Sequence, residues 1–169
     1  MKRAILLTGF NNWGKTTIIK ELFGRGKFYM GWPYGISDVK ASFTVESHSN
    51  DDTTEEGFVN SIAERLSRAP QEVSDLFCAF CPTRQTNNDS RRILENPVFT
   101  QFDEIHLILL KYKWDFHAEL KIPEIHAHLS GIANVRFLTI NADANQTTDV
   151  TRSDARIQQI VSYLQQIYP

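Results

Sequence analysis

Five short apolar runs, separated by stretches of helical periodicity, constrain this chain more than any other feature. The runs are Ala4–Thr8, Val39–Ser47, Val73–Cys81, Ile105–Leu110 and Val135–Ile140. The first, Ala-Ile-Leu-Leu-Thr, is continuously apolar, as expected of a strand buried on both faces. Between the runs, apolar residues recur at helical spacing. Ile18, Ile19, Leu22 and Phe23 form one such set, stopped by Gly24. Phe58, Val59, Ile62 and Leu66 form another, behind a Thr53…Glu56 capping-box signature and ahead of Pro70. A short helix is expected near Ser90–Glu95. A further one is expected over Phe116–Leu129, which Pro123 must interrupt or restart. The clearest is Ser153–Ile167, with Ile157, Ile160, Val161, Leu164 and Ile167 on one stripe.

Strands alternating with helices require crossover connections, hence a mainly parallel sheet with helices on both faces. The expected fold is α/β: one domain over residues 1–169, a three-layer sandwich around about five strands. A length of 169 residues is that of one ordinary domain and supports a core without disulfides or a structural metal. Cys78 and Cys81 fall three apart on a strand, on opposite faces, so neither a shared metal nor a mutual disulfide is expected. His126 and His128, two apart on a helix, share no face either. The formal charge of -2 gives no general pull toward nucleic acid or anionic lipid. The apolar run Ala4–Leu7 is too short for a secretion signal, and no stretch reaches membrane-span length. A cytoplasmic protein is the expectation.

The turn after the first run carries the chemistry. Gly9-Phe10-Asn11-Asn12-Trp13-Gly14-Lys15-Thr16 fits G-x-x-x-x-G-K-[ST], placed between an expected strand and an expected helix. Glycines let the backbone turn tightly so that successive N–H groups face phosphate oxygens, and the helix N-terminus adds partial positive charge. Lys15 supplies a full charge to the terminal phosphates, and the Thr16 hydroxyl is placed to ligate Mg²⁺. On these residues the chain resembles the P-loop NTPase superfamily. The resemblance implies a nucleotide-kinase-like fold that binds ATP (or GTP) with Mg²⁺ through Gly9, Asn11, Asn12, Trp13, Gly14, Lys15, Thr16 and Thr17. Trp13 is bulky for its place; it either lines the pocket or covers the sheet edge.

No expected strand ends in the Asp that commonly holds Mg²⁺ in this superfamily. The nearest acids follow the second run: Glu46, then Asp51 and Asp52. Small-molecule kinases of the superfamily carry acids there, which orient an acceptor hydroxyl and help hold the metal. On that resemblance Glu46 joins Thr16 as a metal ligand and Asp51 becomes catalytic. As residues alone, Asp51 and Asp52 equally suit a turn and helix cap. Cys78-Ala79-Phe80-Cys81-Pro82-Thr83-Arg84 resembles the strand-end segment of adenylylsulfate kinases, which implies that Arg84 contacts an anionic acceptor. The D-G-D segment of that family is missing, which argues against adenylylsulfate itself. Arg91 and Arg92 fit a solvated helix face. Tyr112-Lys113-Trp114-Asp115 lacks the Asn of a GTPase base clamp, and Asn141-Ala142-Asp143 is either a base contact or a polar loop.

Two functions follow as expectations. The first is a phosphotransferase using Lys15, Asp51 and Arg84 on a small anionic or polar acceptor. The alternative is a nucleotide-gated module with little turnover that acts on a partner protein. The aromatic segment Gly24–Gly35 is expected to be a long loop that packs on the domain or closes over the site.

Overall fold

The computed structural model describes residues 1–115 and 117–169. The fold is α/β, built on a mixed but mostly parallel six-stranded sheet. At its centre is β1 (Arg3–Thr8), buried at every position from Ala4 onward, which requires cover on both faces. On one side β1 pairs in parallel with β4 (Asp75–Phe80), Ala4 opposite Leu76. On the other it pairs in parallel with β7 (Glu104–Leu110), Ala4 opposite Ile105. Outside β4 lies β3 (Ser42–Glu46), and outside β7 lies β8 (Val135–Ile140), both parallel. The sixth strand, β2 (Tyr34–Gly35), is antiparallel to β3 and occupies the edge, giving the order β2-β3-β4-β1-β7-β8. The sequence reading missed β2: two residues at the end of the glycine-rich segment are too few to show a pattern.

The helices form two groups. Helix α1 (Lys15–Phe23) packs against α6 (Asp149–Ile167). Helix α2 (Glu55–Arg68) packs against α4 (Pro97–Thr100); α4 packs on α3 (Ser90–Leu94), and α3 on α5 (Ile122–Leu129). The chain leaves β1 through α1 toward β3, on one side, whereas β7 connects through α5 to β8 on the other. In open α/β sheets the crevice beyond the carboxyl ends of strands whose crossovers diverge is where ligands bind. The turns after β1, β3, β4, β7 and β8 all lie at that edge.

Three local expectations need correction. The cap of α2 is Thr54, not Thr53: its hydroxyl accepts from the Gly57 amide. Gly57 at the third position has no side chain to reciprocate, so the single cap bond replaces the expected box. Helix α5 begins at Ile122, with Pro123 in its first turn where a missing N–H costs nothing. Upstream, Leu120 N–H donates to Lys111 O (2.7 Å) and Lys113 N–H to Ala118 O (2.9 Å), a non-helical turn in place of the helix expected from Phe116. Phe116 itself lies outside the described residues. Helix α6 starts four residues earlier than the apolar stripe suggested, because Thr148 and Thr151 close a reciprocal cap. A small hairpin, β5 (Arg84–Gln85) with β6 (Asn88–Asp89), was also invisible in the sequence.

Candidate functional site

The turn Gly9–Gly14 is shaped by two residues with positive φ, Asn12 (61°) and Gly14 (84°). Gly14 caps α1 in the left-handed region, where an L side chain is strained. Gly9 is required for another reason. A Cβ there would lie 3.2 Å from Trp13 Cβ and 3.7 Å from Leu110 Cδ1. Trp13 therefore folds back over Gly9, buried, its ring edge-on to Phe10 at 5.9 Å. Gly9 underlies the turn rather than facing the cleft.

Lys15 spans the turn from below. Its ammonium donates to the Gly9 carbonyl (2.7 Å) and the Phe10 carbonyl (2.8 Å). Burial lowers its pKa, opposed chiefly by the nearby Asp51 carboxylate. The backbone N–H groups of Gly14, Lys15, Thr16 and Thr17 have no acceptor among the described residues, as the first turn of a helix dictates. These residues, with Asn11 and Asn12, line an open cleft of about 630 Å³. Trp114, from the turn after β7, and Asp149, Val150, Ser153 and Arg156, from α6, also line it.

The turn after β3 sits beside Lys15. Asn50 is buried and holds this turn to the end of β4: its Nδ2 donates to Cys81 O (3.1 Å), and its Oδ1 accepts from the Cys81 amide (2.7 Å). The neighbouring Asp52 faces the first cleft, and Asp51 faces a second one of about 670 Å³. Ser49 Oγ lies within hydrogen-bond reach of both carboxylates and shares its one hydrogen between them. Burial first, then the Asp51 charge, push the Cys81 thiol up to about 12, so it stays protonated and donates to Asp51. Phe10, Asn11, Cys81, Arg84, Lys121 and Glu124 contribute to the second cleft, which shares Asn11 with the first.

The residues expected from the sequence thus divide. Asn11, Asn12, Trp13, Gly14, Lys15, Thr16 and Thr17 come together on one cleft, and Asp51 and Arg84 on the adjoining one. Arg84 is exposed there and donates to the Glu124 carbonyl. Glu46 does not belong. It is buried, accepting from Arg65 Nε (2.7 Å), Ser61 Oγ (2.8 Å) and the His48 amide (3.0 Å). Burial opposes its ionisation, but these donors outweigh burial and hold its pKa below the usual carboxylate range. Its oxygens fasten β3 to α2, and it lines neither cleft. Arg91 donates to the His128 and Ser130 carbonyls and Arg92 pairs with Glu55, so both tie elements together rather than face solvent freely. Asp115 is satisfied locally by Lys113 (3.3 Å) and the His117 amide (3.1 Å). Asp143, in the turn between β8 and α6, lies buried against Arg156.

Trp114, Asn50 and Arg156 were missed. Arg156 left a trace: it stands four residues before Ile160 and eight before Leu164, on the helix face that points inward. A cation continuing an apolar stripe is a signal of its own.

No family model matches the chain, and no curated protein matches it in sequence. Among the described residues no helix is long and apolar enough to cross a membrane.

Proposed function

We propose that this chain is a P-loop nucleotide-binding protein of nucleotide-kinase-like, three-layer architecture that uses ATP or GTP with Mg²⁺. In this reading it transfers the terminal phosphoryl group to a small polar or anionic acceptor. One observation carries the reading: a row of unpaired helix-start amides and a buried lysine open on one cleft, which adjoins a second cleft holding a carboxylate and an arginine. The first cleft suits a polyphosphate, because oriented amides and a helix N-terminus stabilise anions. The ammonium of Lys15 is held by two carbonyls until phosphate oxygens compete for it.

The residues for Mg²⁺ fit its chemistry. Thr16 Oγ1 donates its hydrogen to Ser47 O (2.9 Å), which leaves its lone pairs for a cation, and Asp52 lines the same cleft. Mg²⁺ takes few protein oxygens and completes its shell with phosphate and water. Bound there, it would neutralise charge on the terminal phosphates.

Asp51 faces the second cleft, where an acceptor hydroxyl approaching the terminal phosphorus passes its proton. Arg84 offers a planar fork to an anionic group of the acceptor. Asn50 fixes the carboxylate by pinning its turn to β4. The test is nucleoside diphosphate release from Mg·ATP and Mg·GTP across a panel of hydroxylated and anionic metabolites. Turnover should depend on one acceptor class and fall by about 100-fold or more in Asp51→Asn, with nucleotide affinity kept. Diphosphate formation at the water-only rate with every acceptor would remove the phosphotransferase reading. A second reading, a nucleotide-gated binding module, is favoured by Tyr29 and Trp32, exposed between α1 and β2. Its mark is nucleotide-dependent protection of residues 24–35 from hydrogen exchange without turnover.

A further inference from the structure

We propose that Arg156 selects the base of the bound nucleotide and favours guanine over adenine. The inference rests on the nucleotide reading above and concerns the part of the cleft lined by α6 and Trp114.

Arg156 is 3% exposed. Its Nε donates to Asp143 Oδ2 at 2.7 Å, with the two side chains 4% and 1% exposed. The pairing is one-sided: Arg156 Nη2 and Asp143 Oδ1 have no partner among the described residues. Buried donors without acceptors are rare, since such a group has lost its water and gained nothing. Arg156 nonetheless forms part of the wall of the first cleft. A buried guanidinium, oriented by a buried carboxylate and set in the wall of the cleft, is a preformed donor for a ligand.

The cleft sets what that ligand atom is. Phosphates on the amides of Gly14–Thr17 direct the rest of the nucleotide toward α6 and Trp114. Trp114 is 46% exposed, an aromatic face against which a base can stack. Glu21 and Asp149 also line the cleft, so its lining includes carboxylate acceptors. Guanine suits this arrangement. Its O6 and N7 are adjacent acceptors that an arginine fork meets together, and its N2 amino group donates toward carboxylates. Adenine sets an N6 amino donor beside N7, so the same pose brings N–H against N–H. Discrimination of this kind is strong where a buried donor is otherwise left unpaired.

The experiment is calorimetric titration of the full chain with Mg·GTP, Mg·ATP and inorganic tripolyphosphate. The wild type should bind GTP at least about tenfold more tightly than ATP, the scale of one bidentate base contact. The variant Arg156→Met with Asp143→Asn removes both buried charges, so neither is stranded. It should bind GTP and ATP alike and tripolyphosphate as the wild type does. Arg156→Lys keeps a cation for Asp143 without the fork, and should also lose the preference with its thermal midpoint retained. Wild-type affinities that are equal, or that favour ATP, overturn the proposal, as does a GTP preference that survives in either folded variant. Tripolyphosphate binding with no base preference would leave the nucleotide reading standing. Failure of tripolyphosphate and both nucleotides to bind would remove both.

Discussion

Replacing Glu46 by glutamine tests its role as a structural anion. Glu46 and Arg65 form a pair with side chains 5% and 11% exposed, and the carboxylate also accepts from Ser61 and the His48 amide. Glutamine keeps the shape but removes the charge, and its NH₂ must face Arg65 or one of the other donors. Breaking one side of a buried pair costs about 3–5 kcal/mol, because the remaining charge is left unpaired. Against a total folding stability of order 5–15 kcal/mol, that is a large fraction. Arg65 also donates to the Phe28 carbonyl (3.4 Å), so its release loosens the segment leading to β2. Urea unfolding of both proteins from neutral pH into acid is the assay. The folded-state pKa of Glu46 lies below its ordinary 4.5, so its contribution is complete above that value and lost as pH falls through the lower one. The gap between wild type and Glu46→Gln should therefore be widest at neutral pH and close in acid. The double variant Glu46→Leu with Arg65→Met should recover much of the loss. A neutral-pH gap under about 0.5 kcal/mol, the level of an ordinary surface substitution, would refute the buried-pair account. So would a gap that grows in acid.

Further outcomes follow from the site. Gly9→Ala should lower stability by about 1–3 kcal/mol and shift Trp13 fluorescence, since the new methyl meets Trp13 Cβ at 3.2 Å. An unchanged melting midpoint and spectrum would show that Trp13 does not pack there. Asn50→Ala strips partners from the Cys81 amide and Asn88, and should cost ~3 kcal/mol in chemical denaturation. Triphosphate affinity should fall on the alkaline side sooner than for an ordinary lysine, because burial lowers the Lys15 pKa and its charge is lost as pH rises through that lower value. Affinity that stays flat to strongly alkaline pH would argue that Lys15 does not contact the phosphates.

The sequence carried much of this fold because its strongest signals are local. The apolar run at Ala4 and the stripe from Ile157 to Ile167 report burial through periodicity alone, and both fall within the elements that pattern marked, α6 running four residues further upstream. The Gly9–Thr16 turn was legible because its glycines and its lysine sit at fixed offsets from each other. What was not legible depends on partners distant in the chain. Glu46 looked like a strand-end ligand until Arg65, nineteen residues on, was seen to claim it. Asn50 carries no signal of its own in the sequence, because its side chain reaches Cys81, thirty-one residues away. Trp114 falls in a turn whose course is set by the pairing of Tyr112 with Glu119, not by a periodic pattern.

The most direct test is a titration of Mg·ATP and Mg·GTP into wild type and Lys15→Ala, with folding of the variant checked by thermal unfolding. Saturable binding of at least one nucleotide is expected, weakened by roughly 10- to 100-fold when the charge-assisted contacts of the ammonium are removed. No heat of binding up to millimolar nucleotide, or equal affinity in the folded variant, would contradict a phosphate site on this turn.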